Sequence, residues 1–335
     1  NIEKYNLRIT TGTTNEIVYA SSDLFQGNNT RKNHSLYTQI DKKTGRLNLS
    51  FGARFENFTV SSEKEYIING EPLTSFSASK PVFRTGLNYQ LAEATYIRTS
   101  WGQGFRFPAM AELFIRTNYS GLEIYPNAEL KPENGWSAEL GVKQGLKIGN
   151  WMGFIDMASF LMRYNDMMEF SFGRWAPNQP DPNDPSGFAS LNFYGLGFKS
   201  INVGKTEISG IEFSISGQGN ITNNLQINIL AGYTYMNPIS LEPNKVYEVL
   251  EEAIFLNGEY IDSLTYTNSS SDPSILKYRY KHIAKTDLEL VYKKLSIGNS
   301  FRYNDFMKNI DNIFTDPFIA IIGISGINEA REKFK

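Results

Sequence analysis

Apolar and polar side chains alternate along much of this chain with a period of two residues. From Arg46 to Glu56, apolar residues take one set of alternate positions, and polar residues, charged residues and glycine take the other. Successive side chains of a β-strand point to opposite faces of the sheet, so this pattern predicts strands with one apolar and one polar face. The alternation recurs at residues 81–90, 136–143, 211–215, 225–235, 287–292 and 295–302.

The predicted connections between these strands are alternately short and long. Connections of twenty or more residues are uncommon in compact soluble domains. Outer-membrane β-barrels have tight turns at the periplasmic end and long extracellular loops, so the pattern favours a barrel over a soluble β-sandwich. The short connections are 43–45, 92–94, 149–150, 219–224 and 293–294, and the long ones are 61–79, 106–134, 174–195 and 238–275.

This pattern predicts an all-β protein, a transmembrane antiparallel β-barrel with about eleven strands in the chain. An odd number of strands leaves the sheet with free edges. In lipid, each unpaired backbone group at such an edge costs several kcal/mol. We therefore expect the chain to be part of a larger barrel, with segments missing at both ends.

The composition is consistent with a barrel and excludes several other classes. Aromatic residues make up 14% of the 335 residues, as expected if many lie in girdles at the two membrane interfaces. The formal net charge of -2 argues against a nucleic-acid partner. The chain has no cysteine, and His34 and His282 lie far apart in sequence, so no metal site is predicted.

Two sequence motifs lie close together between Thr95 and Val142. A predicted strand ends in Gly104-Phe105-Arg106-Phe107-Pro108, and the following loop closes on Glu129-Leu130-Lys131-Pro132-Glu133. This combination resembles TonB-dependent outer-membrane receptors, in which a strand ending Gly-Phe-Arg-x-Pro leads into an extracellular loop ending Asn-Pro-x-Leu-Lys-Pro-Glu. The resemblance covers roughly His34 to Met307.

The resemblance implies a 22-stranded barrel preceded by a globular plug. Residues 1–335 would then be a single, partial barrel domain that lacks the plug and the last strands. It further implies a place in the lipid bilayer of a Gram-negative outer membrane, TonB as a partner through the missing plug region, and energised import of a scarce nutrient. An iron chelate such as a siderophore is the commonest substrate, and cobalamin and oligosaccharides are others. A plugless passive pore or surface-adhesion barrel is the alternative, and a soluble β-sandwich binding module is a third.

Three residues are candidates for contact with a ligand. Arg106 lies just past a strand end and would suit an anionic ligand, although it would equally serve to anchor its own loop. Trp175 and Tyr194 bound a proline-rich loop, where each would stack on a sugar or an aromatic chelate or pack within the loop.

Local structure is predicted at three places in the long loops. Residues 108–114 predict a short helix that proline starts at its first turn. Residues 245–255 predict a second short helix, whose glutamates form a solvated acidic face. Residues 181–187 have oxygen donors at calcium-like spacing but lack the closing acidic residue of an EF-hand, so a turn is the better prediction.

Catalysis has little support in the sequence. The chain has no Gly-x-Ser-x-Gly, glycine-rich phosphate loop or His-Glu-x-x-His, so we predict no enzyme activity, catalytic residue or cofactor. We expect the carboxylates on the polar faces to form ion pairs or to contact a plug. These carboxylates are Glu56, Glu139, Glu212 and Glu289, and the expected partners are Arg54, Arg84, Lys143 and Arg302.

Overall fold

A computed structural model of the chain describes residues 2–4, 6–68, 71–119, 122–175 and 195–315. These residues form one α-helix, α1 (Met110–Phe114), and two 3-10 turns, Asp23–Phe25 and Asn312–Thr315. The rest of their regular structure is β, which confirms the predicted all-β class. The strands are β1 (Ile2–Lys4), β2 (Leu7–Ser22), β3 (Gly27–Thr44), β4 (Leu47–Ile68), β5 (Glu71–Ala92), β6 (Thr95–Arg106), β7 (Thr117–Tyr119), β8 (Leu122–Tyr125), β9 (Glu133–Ile148), β10 (Asn150–Asn165), β11 (Met168–Arg174), β12 (Leu196–Asn202), β13 (Thr206–Thr222), β14 (Leu225–Ser240), β15 (Val246–Leu256), β16 (Glu259–Thr265), β17 (His282–Tyr292) and β18 (Leu295–Asn304).

One large antiparallel sheet forms the wall of the molecule. Its twelve strands follow the order β1-β2-β3-β4-β5-β6-β9-β10-β13-β14-β17-β18, so each strand pairs with its neighbour along the chain once the loop strands are set aside. Within the described residues the sheet does not close on itself, and it has one strand more than the predicted eleven. This up-and-down order is the connectivity of membrane β-barrels.

The two ends of the wall differ in the length of their connections. At one end, the turn end, pairs of strands are joined by tight turns, and Gly45, Gly149 and Lys293 there adopt positive φ angles of 57°, 60° and 56°. At the opposite end, the loop end, the connections from β6 to β9, β10 to β13 and β14 to β17 are long. The predicted sorting of short and long connections is therefore confirmed at these places.

The two faces of the wall also differ, as the alternation predicts. One face exposes large apolar side chains, among them Leu49, Phe51 and Phe83, which are 44%, 47% and 42% exposed. Phe51 and Phe83 stack with ring centroids 6.4 Å apart. Exposed apolar side chains on this scale are typical of a surface that faces lipid. None of the described helices has the length and apolar character that crossing a membrane would require.

The opposite, inner face carries the charged residues, with partners that the sequence predicted only in part. The predicted pair of Arg54 and Glu56 is present. Glu289 instead accepts hydrogen bonds of 2.7 Å from the Ser296 hydroxyl and the Asn228 amide. Arg54 and Glu56 lie two residues apart on β4, whereas the partners of Glu289 come from the neighbouring strands β14 and β18. Pairing across strands depends on the register rather than on sequence spacing.

Arg98 forms ion pairs with two carboxylates of the inner face. Its Nε lies 2.8 Å from Glu139 Oε1, and its Nη1 lies 2.7 Å from Asp156 Oδ1. Gly141 makes room for this guanidinium, because a Cβ atom at residue 141 would lie 2.8 Å from Arg98 Cζ. Glu139 thus has an ion-pair partner as predicted, but the partner is Arg98 and none of the expected residues.

The predicted long loop at residues 61–79 is wrong. β4 and β5 continue through this region to Ile68 and Glu71, with Val60 opposite Phe76 and Tyr66 opposite Leu73. The serines and charged residues of the segment resemble a loop, but the backbone hydrogen bonds of the hairpin continue past a register shift between Ser61 and Tyr66. The β4–β5 hairpin therefore extends beyond the segments in which apolar and polar residues alternate.

The predicted helix at residues 245–255 is also wrong, because this segment is strand β15. It pairs with β16 in an antiparallel hairpin that has register shifts on either side of Val249. The other predicted helix is confirmed as α1, but Ala109 is its N-cap, so Pro108 precedes the helix and does not occupy its first turn as predicted. The backbone N–H of Ala109 donates to the Glu112 carboxylate at 2.7 Å and so satisfies one donor at the start of the helix.

Candidate functional site

The long connections fold together at the loop end of the wall. We call the described residues of these segments the cap: residues 107–119, 122–132, 166–175, 195–205 and 241–281, together with residues 305–315 after β18. Strands β11, β12, β8 and β7 form a four-stranded sheet in that order, in which β12 and β8 are parallel. This sheet joins the first two connections, and the β15–β16 hairpin comes from the third.

An apolar core holds the cap segments together. Its buried members come from all four segments, so the cap packs as a folded unit rather than as separate loops. Burying an aliphatic or aromatic side chain contributes about 1.5–3 kcal/mol, which favours ordering of these long connections. The core residues are Tyr125, Met167, Phe172, Trp175, Phe198, Ile201, Val203, Leu250, Ile254, Leu256, Ile261, Leu264, Tyr266, Leu276 and Ile313.

A second, aromatic cluster joins the cap to the wall. The rings of Phe58 and Phe107 stack with centroids 5.4 Å apart, and Phe76 lies 6.3 Å from Phe107. Phe114 of α1 is fully buried beside Tyr66, with ring centroids 5.2 Å apart. The extended β4–β5 hairpin thus provides the inner surface against which α1 packs.

Arg106 lies at this junction, where two carboxylates hold its guanidinium. Its Nε lies 2.6 Å from Glu133 Oε2, and its Nη1 lies 2.9 Å from both oxygens of Glu112. Glu133 also accepts a hydrogen bond from the backbone N–H of Met168. Arg106 therefore connects the end of β6, helix α1 and the start of β9, and Glu133 extends the connection to β11.

Trp175 is a core residue of the cap. Its indole Nε1 donates a 3.0 Å hydrogen bond to the carbonyl oxygen of Gly197, and its ring lies against Gly173. The Lys199 ammonium lies 4.9 Å from the ring centroid. Protein atoms therefore surround the indole, which is 9% exposed. Tyr194, and the predicted turn at residues 181–187, lie outside the described residues.

A buried ion cluster lies inside the cap, and we call it the cap ion cluster. Lys277 Nζ lies 3.1 Å from Asp311 Oδ2, 3.9 Å from Glu169 Oε2 and 3.0 Å from Ser269 Oγ. The side chains of Lys277, Asp311 and Glu169 are 0%, 3% and 7% exposed. The Tyr266 hydroxyl donates to Glu169 Oε1 at 3.2 Å and accepts from the Lys277 backbone N–H.

Burial in the cap shifts the protonation of these groups. Desolvation raises the pKa of Glu169 to about 7, although the Lys277 ammonium and the Tyr266 hydroxyl oppose the shift. Burial alone would lower the pKa of Lys277, but Asp311, Tyr247 and Glu169 together raise it above its ordinary value. Lys277 therefore remains charged, whereas Glu169 titrates near neutral pH.

Sequence analysis did not predict this cluster. Its three charged residues come from different loops, separated by 108 residues between Glu169 and Lys277 and by 34 between Lys277 and Asp311. A local pattern cannot predict such a contact, because only the folding of the cap brings the groups together.

The outer face of the β15–β16 hairpin is open and aromatic. Val249, Phe255 and Tyr260 are 71%, 63% and 81% exposed, and the rings of Phe255 and Tyr260 lie 5.1 Å apart. The opposite face of the hairpin packs into the cap core. Such a surface suits noncovalent contact with a ligand or a partner. Within the described residues, no group of three or more His, Asp or Glu side chains is arranged to hold a metal ion.

Comparison with known proteins identifies the fold. A family model described as "TonB dependent receptor-like, beta-barrel" matches residues 3–321. The structure is similar to the copper transporter OprC, with a TM-score of 0.58 and 14% identity, over 93% of this chain and 44% of that one. No curated protein sequence matches the chain.

Two further solved structures show the same fold. The hemophore receptor HasR of Serratia marcescens, solved as a double mutant with hemophore HasA and heme, has a TM-score of 0.58 at 15% identity, over 89% of this chain and 49% of that one. The ferric-catecholate import receptor Fiu of E. coli K12, in its closed form, has a TM-score of 0.51 at 16% identity, over 83% and 34%. The chain thus spans less than half the length of each of these three proteins.

Proposed function

The chain belongs to the TonB-dependent receptor family, in the part that forms the β-barrel, and from that premise we propose that the whole protein imports a scarce nutrient across the outer membrane of a Gram-negative bacterium. In this proposal TonB supplies the energy through a plug domain. An iron chelate is the substrate we propose first, and cobalamin and oligosaccharides are the other classes. The solved proteins of similar fold include a copper transporter, a hemophore receptor and a ferric-catecholate import receptor.

The folded cap is the observation that carries this proposal. Three long connections and the segment after β18 share one apolar core at the same end of the wall. The second and third of these connections and the segment after β18 also share one buried ion cluster. A passive pore has no need of an elaborate folded structure at its mouth. A receptor that captures a dilute ligand does, because preordered contacts reduce the entropy lost on binding. The loop end would face the outside of the cell, as in other outer-membrane barrels.

Ligand contact by Arg106, Trp175 and Tyr194 remains a prediction. Arg106 and Trp175 already have protein partners, so their contribution would be to hold the cap in its binding conformation. Phe255 and Tyr260 add an accessible aromatic surface on the same cap. We propose that ligand contacts come from this surface together with residues held in place by Arg106 and Trp175.

Growth of a deletion strain tests the proposal. The strain, carrying the full-length gene or none, is grown on media in which a ferric siderophore, cobalamin or a glycan is the sole source of iron, cobalamin or carbon. Rescue on one source supports import and identifies the substrate class. The same rescue is measured in a strain that lacks TonB, where energised import predicts no growth.

The TonB comparison separates the two main candidates. Rescue that persists without TonB would contradict energised import and favour a passive pore. An absence of rescue on every source would contradict import of these nutrient classes and favour a surface-adhesion barrel.

A further inference from the structure

The cap ion cluster has two carboxyl groups and one ammonium group, and all three side chains are buried. Asp311 is well satisfied, since it accepts hydrogen bonds from the Phe172 and Ile313 backbone N–H groups at 3.3 and 3.2 Å and pairs with Lys277. Glu169 accepts one bond from Tyr266, and its Oε2 accepts none from the described residues. One ammonium thus faces two buried carboxylates, and Glu169 is the less compensated of them.

The charged and titratable groups around Glu169 leave its negative charge poorly balanced. Four of these groups face the cluster from the connection between β14 and β17, and Asp311 faces it from the segment after β18. The four are Lys277, Tyr266, Tyr247 and Tyr278. Arg279 lies on the same connection but is exposed, so solvent screens its effect. The Lys277 ammonium is 0.8 Å closer to Asp311 than to Glu169, which leaves Glu169 as the group that gains most from binding a proton.

The cluster joins three parts of the cap. Glu169 belongs to β11, Lys277 to the connection before β17, and Asp311 to the segment after β18. We propose that Glu169, Lys277 and Asp311 form a pH-dependent clamp on the cap, closed when Glu169 carries a proton and loosened when Glu169 is ionised. Lys277 acts as a positioning residue in this clamp, because it pairs with Asp311. Asp311 in turn accepts a hydrogen bond from Phe172 of β11.

The direction of the pH effect follows from linkage. A carboxyl group whose pKa is higher in the closed cap than in the open one stabilises the closed cap at low pH. Taking about 7 for the closed cap and 4.5, the ordinary value, for the open cap, this stabilisation is complete below pH 4.5 and is lost as the pH rises through 7. One proton changes the opening equilibrium by at most about tenfold per pH unit across this window.

Hydrogen exchange of the full-length receptor in detergent micelles tests the clamp. The reporting amides are those of Phe172, Lys277 and Ile313, because each donates a hydrogen bond within the cluster. Exchange is measured from about pH 5 to pH 8 and corrected for the intrinsic pH dependence of amide exchange, so that only cap opening remains. We expect opening to increase as the pH rises to 7 and to level off above it, while the amides of β9 and β10 keep constant protection.

Variants separate the clamp from general loss of structure. Glu169→Gln keeps the shape and removes the charge, so the cap should keep its low-pH protection at every pH. Glu259→Gln removes an exposed carboxylate from the same cap and should keep the wild-type profile. A pH profile that Glu169→Gln leaves unchanged, or that Glu259→Gln flattens equally, would overturn the proposal.

Lys277→Met provides the second test. It leaves two buried carboxylates without their cation, and we expect cap protection to fall at every pH, most of all above pH 7. Unchanged protection in this variant would also overturn the proposal. A cap that fails to fold in Lys277→Met leaves the Glu169→Gln comparison as the deciding measurement.

The consequence for uptake rests on the proposed function, whereas the exchange measurement does not. If import occurs, Glu169→Gln should flatten the pH dependence of uptake of whichever nutrient rescues growth. The exchange profile without any nutrient rescue would support the clamp and contradict the proposed function. Rescue without the exchange profile would support the function and contradict the clamp.

Discussion

Replacing Phe51 by arginine should destabilise the protein far more than replacing its neighbour Ser50 by arginine. Phe51 lies on the apolar face of β4 and is 47% exposed, whereas Ser50 points to the inner face. The Ser50 hydroxyl lies 2.6 Å from Asp41 Oδ1, so an arginine at this position would meet a carboxylate. At Phe51 the same cation would enter the hydrocarbon region of the bilayer.

The expected magnitude depends on depth in the membrane. A strand tilted by about 45° climbs roughly 2.3 Å per residue. Phe51 lies five residues above Arg46 of the turn, which places it roughly 12 Å up, near the middle of an apolar band about 25 Å tall. Arginine there costs about 2–4 kcal/mol, and losing the stack on Phe83 adds about 0.5–1.5 kcal/mol. Leu49 lies two residues closer to the turn, so Leu49→Arg should lower the free energy of unfolding by roughly half as much as an arginine at the midplane.

Equilibrium urea unfolding of the full-length receptor in lipid vesicles measures these differences. Phe51→Ala is the matched control, because it removes the ring stack without adding a charge. The difference between Phe51→Arg and Phe51→Ala then gives the cost of the charge alone, expected at about 2–4 kcal/mol. Equal losses for Phe51→Arg and Ser50→Arg would refute the assignment of the apolar face to lipid.

Three further predictions concern the inner face and the cap. Gly141→Ala should lower the free energy of unfolding by about 1–3 kcal/mol in the same urea titration, because its Cβ would displace the Arg98 guanidinium from Glu139 and Asp156. Gly104→Ala is the control and should be nearly neutral, because residue 104 has open space around it. Arg106→Gln should increase proteolytic cleavage of residues 107–132 and weaken ligand binding without unfolding the wall; unchanged cleavage and uptake would contradict its role as an anchor. Tyr260→Ser should leave stability within about 0.5 kcal/mol, because the side chain is exposed, while reducing ligand affinity in a binding titration.

The alternating strands could be predicted from the sequence because their pattern is local. In a wall with one lipid-facing surface, residues i and i+2 share an environment, so the polarity of the neighbours reveals the strand. This holds for the segment around Leu49 and Phe51. It fails beyond Ser61, where the β4–β5 hairpin leaves the apolar band and polar residues occupy both faces.

The error at residues 245–255 has a different physical cause. Val246, Leu250 and Ile254 recur every four residues, a spacing that places side chains on one face of a helix and also on one face of a strand. Leu250 and Ile254 are buried as members of β15, and irregular pairing with β16 accommodates the segment. The four-residue spacing is therefore compatible with both structures; in β15, Leu250 and Ile254 pack into the cap core, while Val246 is 47% exposed.

The predicted and the unpredicted parts of the molecule also differ in what they contribute to function. The wall repeats one local rule, which is why its sequence reveals the family, but its residues are those that any barrel of this kind requires. The cap depends on contacts between distant segments, such as Lys277 with Asp311 and Arg106 with Glu133. Ligand specificity should lie in the cap, because its side chains are the ones arranged individually rather than by a repeating pattern. A sequence pattern can thus assign the chain to a family of receptors, whereas the proposed substrate specificity should depend on the nonlocal contacts that shape the cap.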